Sequence, residues 1–166
     1  LKEFVVLTYL LVILLPFVFK VKPLLTFLYL IFTCISLFLG SLCHLYKWTI
    51  WFDSFSHFIW GMLSSLLAIY ILDKLHMYDK KNIVFNIFFI FIFSLATSGF
   101  WEICEFTVDR IFGSDTQRAA TGVFDTMKDI IVALLGNILF LIWYYYETKH
   151  SFKGCIHFLI HNMDTE

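Results

Sequence analysis

Three pairs of ionisable residues interrupt a chain that is otherwise mostly apolar. Asp53 and His57 are four residues apart, Glu102 and Glu105 three apart, and Asp125 and Asp129 four apart. Residues at these spacings share one face of a helix, so each pair can aim both of its groups at a single neighbour. Carboxylates with one imidazole are a donor set for a hard divalent ion or for iron, manganese or zinc. Left uncompensated they repel, by roughly 3 kcal/mol for two carboxylates ~6 Å apart at an effective dielectric constant of ~20. The cations in the chain that could offset this are Arg110, Arg118 and Lys128.

These residue types define expected roles. Asp53, His57, Glu102, Glu105 and Asp129 are the candidate ligands of a divalent metal (Zn, Mn, Mg or Fe). His57, Glu105 and Asp125 are the candidate general acid or base groups. Gln117 and Arg118, in the polar stretch between the second and third pairs, are candidate substrate contacts, the arginine through its planar fork on a phosphate. A plainer reading covers part of the set. Asp53-Ser-Phe-Ser and Asp125-Thr resemble N-caps, where negative charge complements the helix dipole. Glu102 and Glu105 fall near a helix C-terminus, where negative charge is unfavourable, and Asp129 lies a turn inside its helix, so capping does not account for them.

The elements that must position these residues follow from composition. Of the 166 residues, 60% are hydrophobic and only 15% charged, which excludes an ordinary water-soluble globule, a disordered tail and a basic nucleic-acid binder. The four cysteines fall singly and read as small apolar helix residues. Five apolar segments are expected, at Phe4–Phe19, Leu24–Leu45, Asp53 or Ser54 to Leu72, Ile83–Phe112 and Phe124–Tyr146. Lys2 could open a signal peptide, but no pair of small residues offers a cleavage point, so the first segment reads as a span; the start at Leu1 leaves room for an upstream piece. The fourth segment is too long to lie wholly in hydrocarbon. The stretch Ser151–Asn162 is too short to span and reads as an interfacial amphipathic helix, in which His157 and His161 form a solvated face rather than a metal pair. The expected fold is therefore an all-α integral membrane protein: a bundle of about five transmembrane helices over residues 1–149, then a cytoplasmic amphipathic tail over 150–166.

With five spans, all three ionisable pairs fall on one membrane side. Gly40, Gly61, Gly99 and Gly136 are expected at close helix approaches. Asn137 is expected to act as inter-helix glue, and Ser64, Ser65, Thr97 and Ser98 to bond backbone carbonyls. Lys20, Lys22, Lys74, Lys80, Lys81, Lys149 and Lys153 lie on one side, against Lys2, Lys47, Arg110, Arg118 and Lys128 on the other. This bias puts the C-terminus in the cytoplasm, and the N-terminus and the acidic pairs outside.

Several motifs resemble a known family. Trp101-Glu-Ile-Cys-Glu105, Asp115-Thr-Gln117, and Phe124-Asp-Thr-Met-Lys-Asp129 followed by Ile-Ile-Val-Ala-Leu-Leu-Gly136 are similar to the YjdF-type family of small bacterial inner-membrane proteins. Phe52-Asp-Ser-Phe-Ser-His57 with Trp60-Gly61 fits its Asp-x-x-x-His segment, so the resemblance covers roughly residues 50–140. A more distant similarity is to VanZ-like proteins, from which the chain departs by carrying Glu105 and Asp129 where that pattern has Gln and Asn. The resemblance implies a multi-pass helical protein of the bacterial inner membrane and supports the polar positions. It brings no reaction with it.

Three functions fit the residues. The first is a metal-dependent hydrolase or transferase acting on a polar envelope lipid at the outer leaflet. The second is a non-catalytic membrane subunit, or homo-oligomer, whose acidic cluster grips a partner. The third is a cation or proton pathway, against which stands the lack of ionisable residues in the other half of each span.

Overall fold

The computed structural model describes residue 10, residues 12–117 and 122–150, and residues 154, 156 and 158. The described chain is all-helical. Residues 12–18 are helical, and α1 (Pro23–Thr33) follows, with proline opening its first turn, where no amide hydrogen is needed. It runs directly into a π-helix, Cys34–Leu42, ended by the Cys43 amide donating to the Phe38 carbonyl at 2.9 Å. Then come α2 (Leu45–Trp48), α3 (Ile50–Lys74), α4 (Ile83–Phe112) and α5 (Val123–Lys149).

Among the described residues, four stretches are long and apolar enough to cross a bilayer: Pro23–Leu42, Trp51–Lys74, Ile83–Phe112 and Val123–Lys149. They match the second to fifth expected spans. The expected first span lies largely outside the described residues, as do His157, His161 and most of the tail. At 1.5 Å per residue α4 is about 45 Å long against a hydrocarbon core of about 30 Å, so one or both of its ends extend past the lipid.

The chain forms two compact units, Leu1–Ser56 and His57–Glu166. In the first, Gly40 lies beneath the Tyr46 ring, which occupies the space a Cβ would need. Tyr46 in turn packs edge-on against Phe52.

The second unit is built from α4, α5 and the part of α3 that begins at His57. Its packing is inside-out by the standard of a soluble protein. The buried stripe of α4 is Asn86, Ile90, Ser94, Ser98 and Glu102, spaced four apart and polar at every position but one. The faces turned outward carry Phe88, Ile92, Phe100, Ile131, Leu135 and Ile142. Such a surface is stable only against lipid, where apolar side chains outside cost nothing and polar groups must find partners inside. Gly61 meets the Ala133 carbonyl and Gly136 meets the Phe58 carbonyl, so α3 and α5 touch backbone to backbone at two reciprocal points. Gly99, expected at a similar approach, has nothing within 4 Å of its Cβ position, because it lies off the buried stripe of α4.

Candidate functional site

His57 and Asp129 are buried on facing helices, and α4 brings Glu102 to the same place. The imidazole Nε2 lies 3.9 Å from Glu102 Oε1 and 3.9 Å from Asp129 Oδ2. These separations exceed a hydrogen bond. An imidazole and two carboxylates are donor types that would hold a divalent ion. Asp53 lies in the first turn of α3, four residues before His57. Asp53 and Asp125 are both inside their helices rather than at the cap positions; the residue at the N-cap of α5 is Gly122.

Lys128 is the intrinsic cation of the site. Its Nζ is 2.8 Å from Asp125 Oδ1 and 3.2 Å from Asp129 Oδ1. Asp125 is thus buried and ion-paired, one turn before Asp129 on α5. Glu105 goes elsewhere. It is half-buried, and its Oε1 accepts the Trp101 indole N–H at 2.9 Å. The reason is angular. Glu102 continues the buried stripe of α4, while Glu105 is rotated about 60° from it and shares a stripe with Trp101.

A loop closes over this end of the unit, and its anchor is Asp109, which sequence reasoning missed. Gly113, with φ of 64°, caps α4 in the left-handed conformation that glycine tolerates. The chain then folds back so that Asp109 Oδ1 accepts from Ser114 Oγ (2.6 Å), Thr116 N (2.9 Å) and Thr116 Oγ1 (2.7 Å). Asp109 Oδ2 accepts from Gln117 N at 2.9 Å. An acidic residue in the last turn before Gly-Ser-Asp-Thr is the local signal for such a clamp. Gln117 then spans two helices: its Nε2 donates to the Glu102 carbonyl at 3.3 Å and to Thr126 Oγ1 at 2.8 Å. Arg118 lies outside the described residues.

Between α4, α5 and this loop is a cavity of about 620 Å³. Its lining includes the polar residues Arg110, Asp115 and Gln117 and the apolar residues Ile103, Phe106 and Ile130. The Arg110 guanidinium stands over the Phe106 ring, 5.1 Å from its centroid. Glu102 belongs to both places, reaching towards His57 and lining the cavity.

Residues 2–150 match the model of a family of predicted membrane proteins designated DUF2238. The chain belongs to that family. It is an integral membrane protein, and the resemblance to YjdF-type proteins is consistent with this membership. No curated protein and no solved structure matches the chain. Family membership covers both the helices that carry the acidic cluster and the loop above it.

Proposed function

We propose that this chain is a membrane-embedded, metal-dependent hydrolase or transferase acting on the polar head group of an envelope lipid at the outer leaflet. The observation that carries the reading is the double membership of Glu102. One buried carboxylate faces an imidazole and a second carboxylate, and also lines a cavity with both polar and apolar lining residues. Such a cavity suits an amphiphile whose head group lies beside the acidic cluster. Arg110 and Gln117 are among the residues lining it, and Arg118 follows directly in sequence. A guanidinium there suits a lipid phosphate.

His57, Glu102 and Asp129 are the proposed ligands, and a divalent ion would supply Lewis acidity to a phosphoryl or acyl oxygen. Lys128 offsets part of the charge on Asp125 and Asp129. In this reading Asp125, one turn before Asp129 on α5, acts as the general base.

The test is elemental analysis of purified protein before and after chelation, joined to lipid extraction. We expect about one divalent ion per wild-type chain and clear loss of it in Glu102→Gln and Asp129→Asn. Cells carrying the wild type should differ in one lipid species from cells carrying either variant. Metal-free wild type with matching lipid profiles overturns the reading. Loss of a co-purifying protein from the variants would point instead to a non-catalytic subunit.

A further inference from the structure

The cavity between α4, α5 and the loop after α4 presents a ligand with more acceptors than donors. Gln117 has two amide hydrogens on its side chain, and both are committed. Its Nε2 donates to the Glu102 carbonyl at 3.3 Å and to Thr126 Oγ1 at 2.8 Å. The Gln117 side chain therefore cannot donate to a phosphate without giving up one of these bonds; what it retains for a ligand is an acceptor oxygen. Asp109, which also lines the cavity, is held by the loop through Ser114, Thr116 and Gln117. It contributes a fixed negative charge.

Formal charge points the same way. Among the described residues lining the cavity, Glu102, Asp109 and Asp115 carry carboxylates, and Arg110 is the one cation. A divalent ion on Glu102 would still leave two carboxylates facing one guanidinium. A phosphate by itself would match Arg110 and then meet an excess of negative charge. A head group that brings its own cation beside the phosphate complements both signs.

The lining also selects the kind of cation. Quaternary ammonium groups are held by cages of aromatic faces. Phe106 is the one aromatic side chain among the described lining residues, and the Arg110 guanidinium already stands over its ring at 5.1 Å. A primary ammonium instead carries three N–H donors, which suit carboxylate and amide oxygens. Glu102 faces His57, and Asp109 is committed to the loop, so Asp115 is the carboxylate assigned to it.

We propose that the cavity selects a zwitterionic head group of the phosphoethanolamine type, with its phosphate on Arg110 and its primary ammonium on Asp115. This deepens the lipid reading above and rests on it, though not on the metal.

Native mass spectrometry of the full chain in detergent tests it. Phosphatidylethanolamine, phosphatidylcholine and phosphatidylglycerol with matched acyl chains compete at equal concentration. The ethanolamine lipid should be retained about fivefold or more over each of the others, the low end for a charge-assisted hydrogen bond. Asp115→Asn should cut that preference to about twofold or less. Asp115→Lys should turn it towards phosphatidylglycerol, a gain that a misfolded protein cannot give. Asp115 is exposed, so neither change touches the core. Arg110→Gln should lower the retention of all three lipids, which share the phosphate. Equal retention of the three, or a preference unmoved in both Asp115 variants, overturns the inference and leaves the lipid reading standing. An ethanolamine preference that follows Asp115, in a protein whose cells show no altered lipid, upholds the inference and overturns the enzymatic reading instead.

Discussion

Lys128 is the residue on which the electrostatics of the acidic cluster turn. Asp125 and Asp129 are nearly buried, and its ammonium is within 3.2 Å of both. Removing one partner of a buried pair leaves a desolvated charge behind, which costs several kcal/mol when burial is complete. Lys128 keeps about a quarter of its side chain exposed, 26%, so solvent screens part of that cost. Lys128→Met should destabilise the protein by about 1–2 kcal/mol. A thermal melt in detergent at low and high salt checks this, with the larger loss at low salt. Lys128→Arg should retain most of the stability. A Lys128→Met protein as stable as the wild type would mean that something other than this ammonium compensates the carboxylates.

The helices are held by backbone proximity more than by apolar burial. Gly61 and Gly136 each point at a carbonyl of the opposite helix, and neither backbone can move aside as a flexible side chain would. Gly61→Leu must force α3 and α5 apart, which loses the Asn137–Ser65 hydrogen bond in the same layer. A loss of about 1–3 kcal/mol is expected, the usual range for overpacking a close contact. Gly99 gives the contrast, since its Cβ position is open. Gly99→Ala should be neutral or stabilising by up to about 1 kcal/mol, through helix propensity alone. Melting temperatures of the two variants, measured side by side, separate contact from propensity.

Within the second unit, Glu102, Asp125 and Asp129 gather around His57 and Lys128, in the C-terminal half of α4 and the first turns of α5. By the positive-inside rule, the basic bias of the opposite side leads to the expectation that this end lies outside the cytoplasm. Asp115 is exposed in the loop over the site. Asp115→Cys, in a background cleared of native cysteines, should therefore react with an impermeant thiol reagent added to intact cells. Reaction only after the membrane is opened would reverse the orientation and move the proposed lipid substrate to the inner leaflet.

The apolar runs by themselves determined the spans, because a bilayer demands about 20 apolar residues and the chain supplies such runs between turn signals. The range Ile83–Phe112 is the same in sequence and structure. Helical spacing likewise placed His57 with Asp53 and Asp129 with Asp125, since i, i+4 residues share a face whatever surrounds them. It also marked Asn137 as glue between helices, which its bond to Ser65 bears out. Tertiary structure alone decided which face turns inward. The rotation of α4 was fixed by the polar stripe from Asn86 to Glu102, and that choice sent Glu102 to His57 and Glu105 to Trp101. Lys128 rather than Arg110 became the counter-ion for the same reason: it lies on α5 within reach of both aspartates, whereas Arg110 is spent on the Phe106 face. The Ser64–Ser94 and Ser65–Asn137 pairings were invisible in the sequence, because their members come from three helices and meet only where glycines let the backbones close.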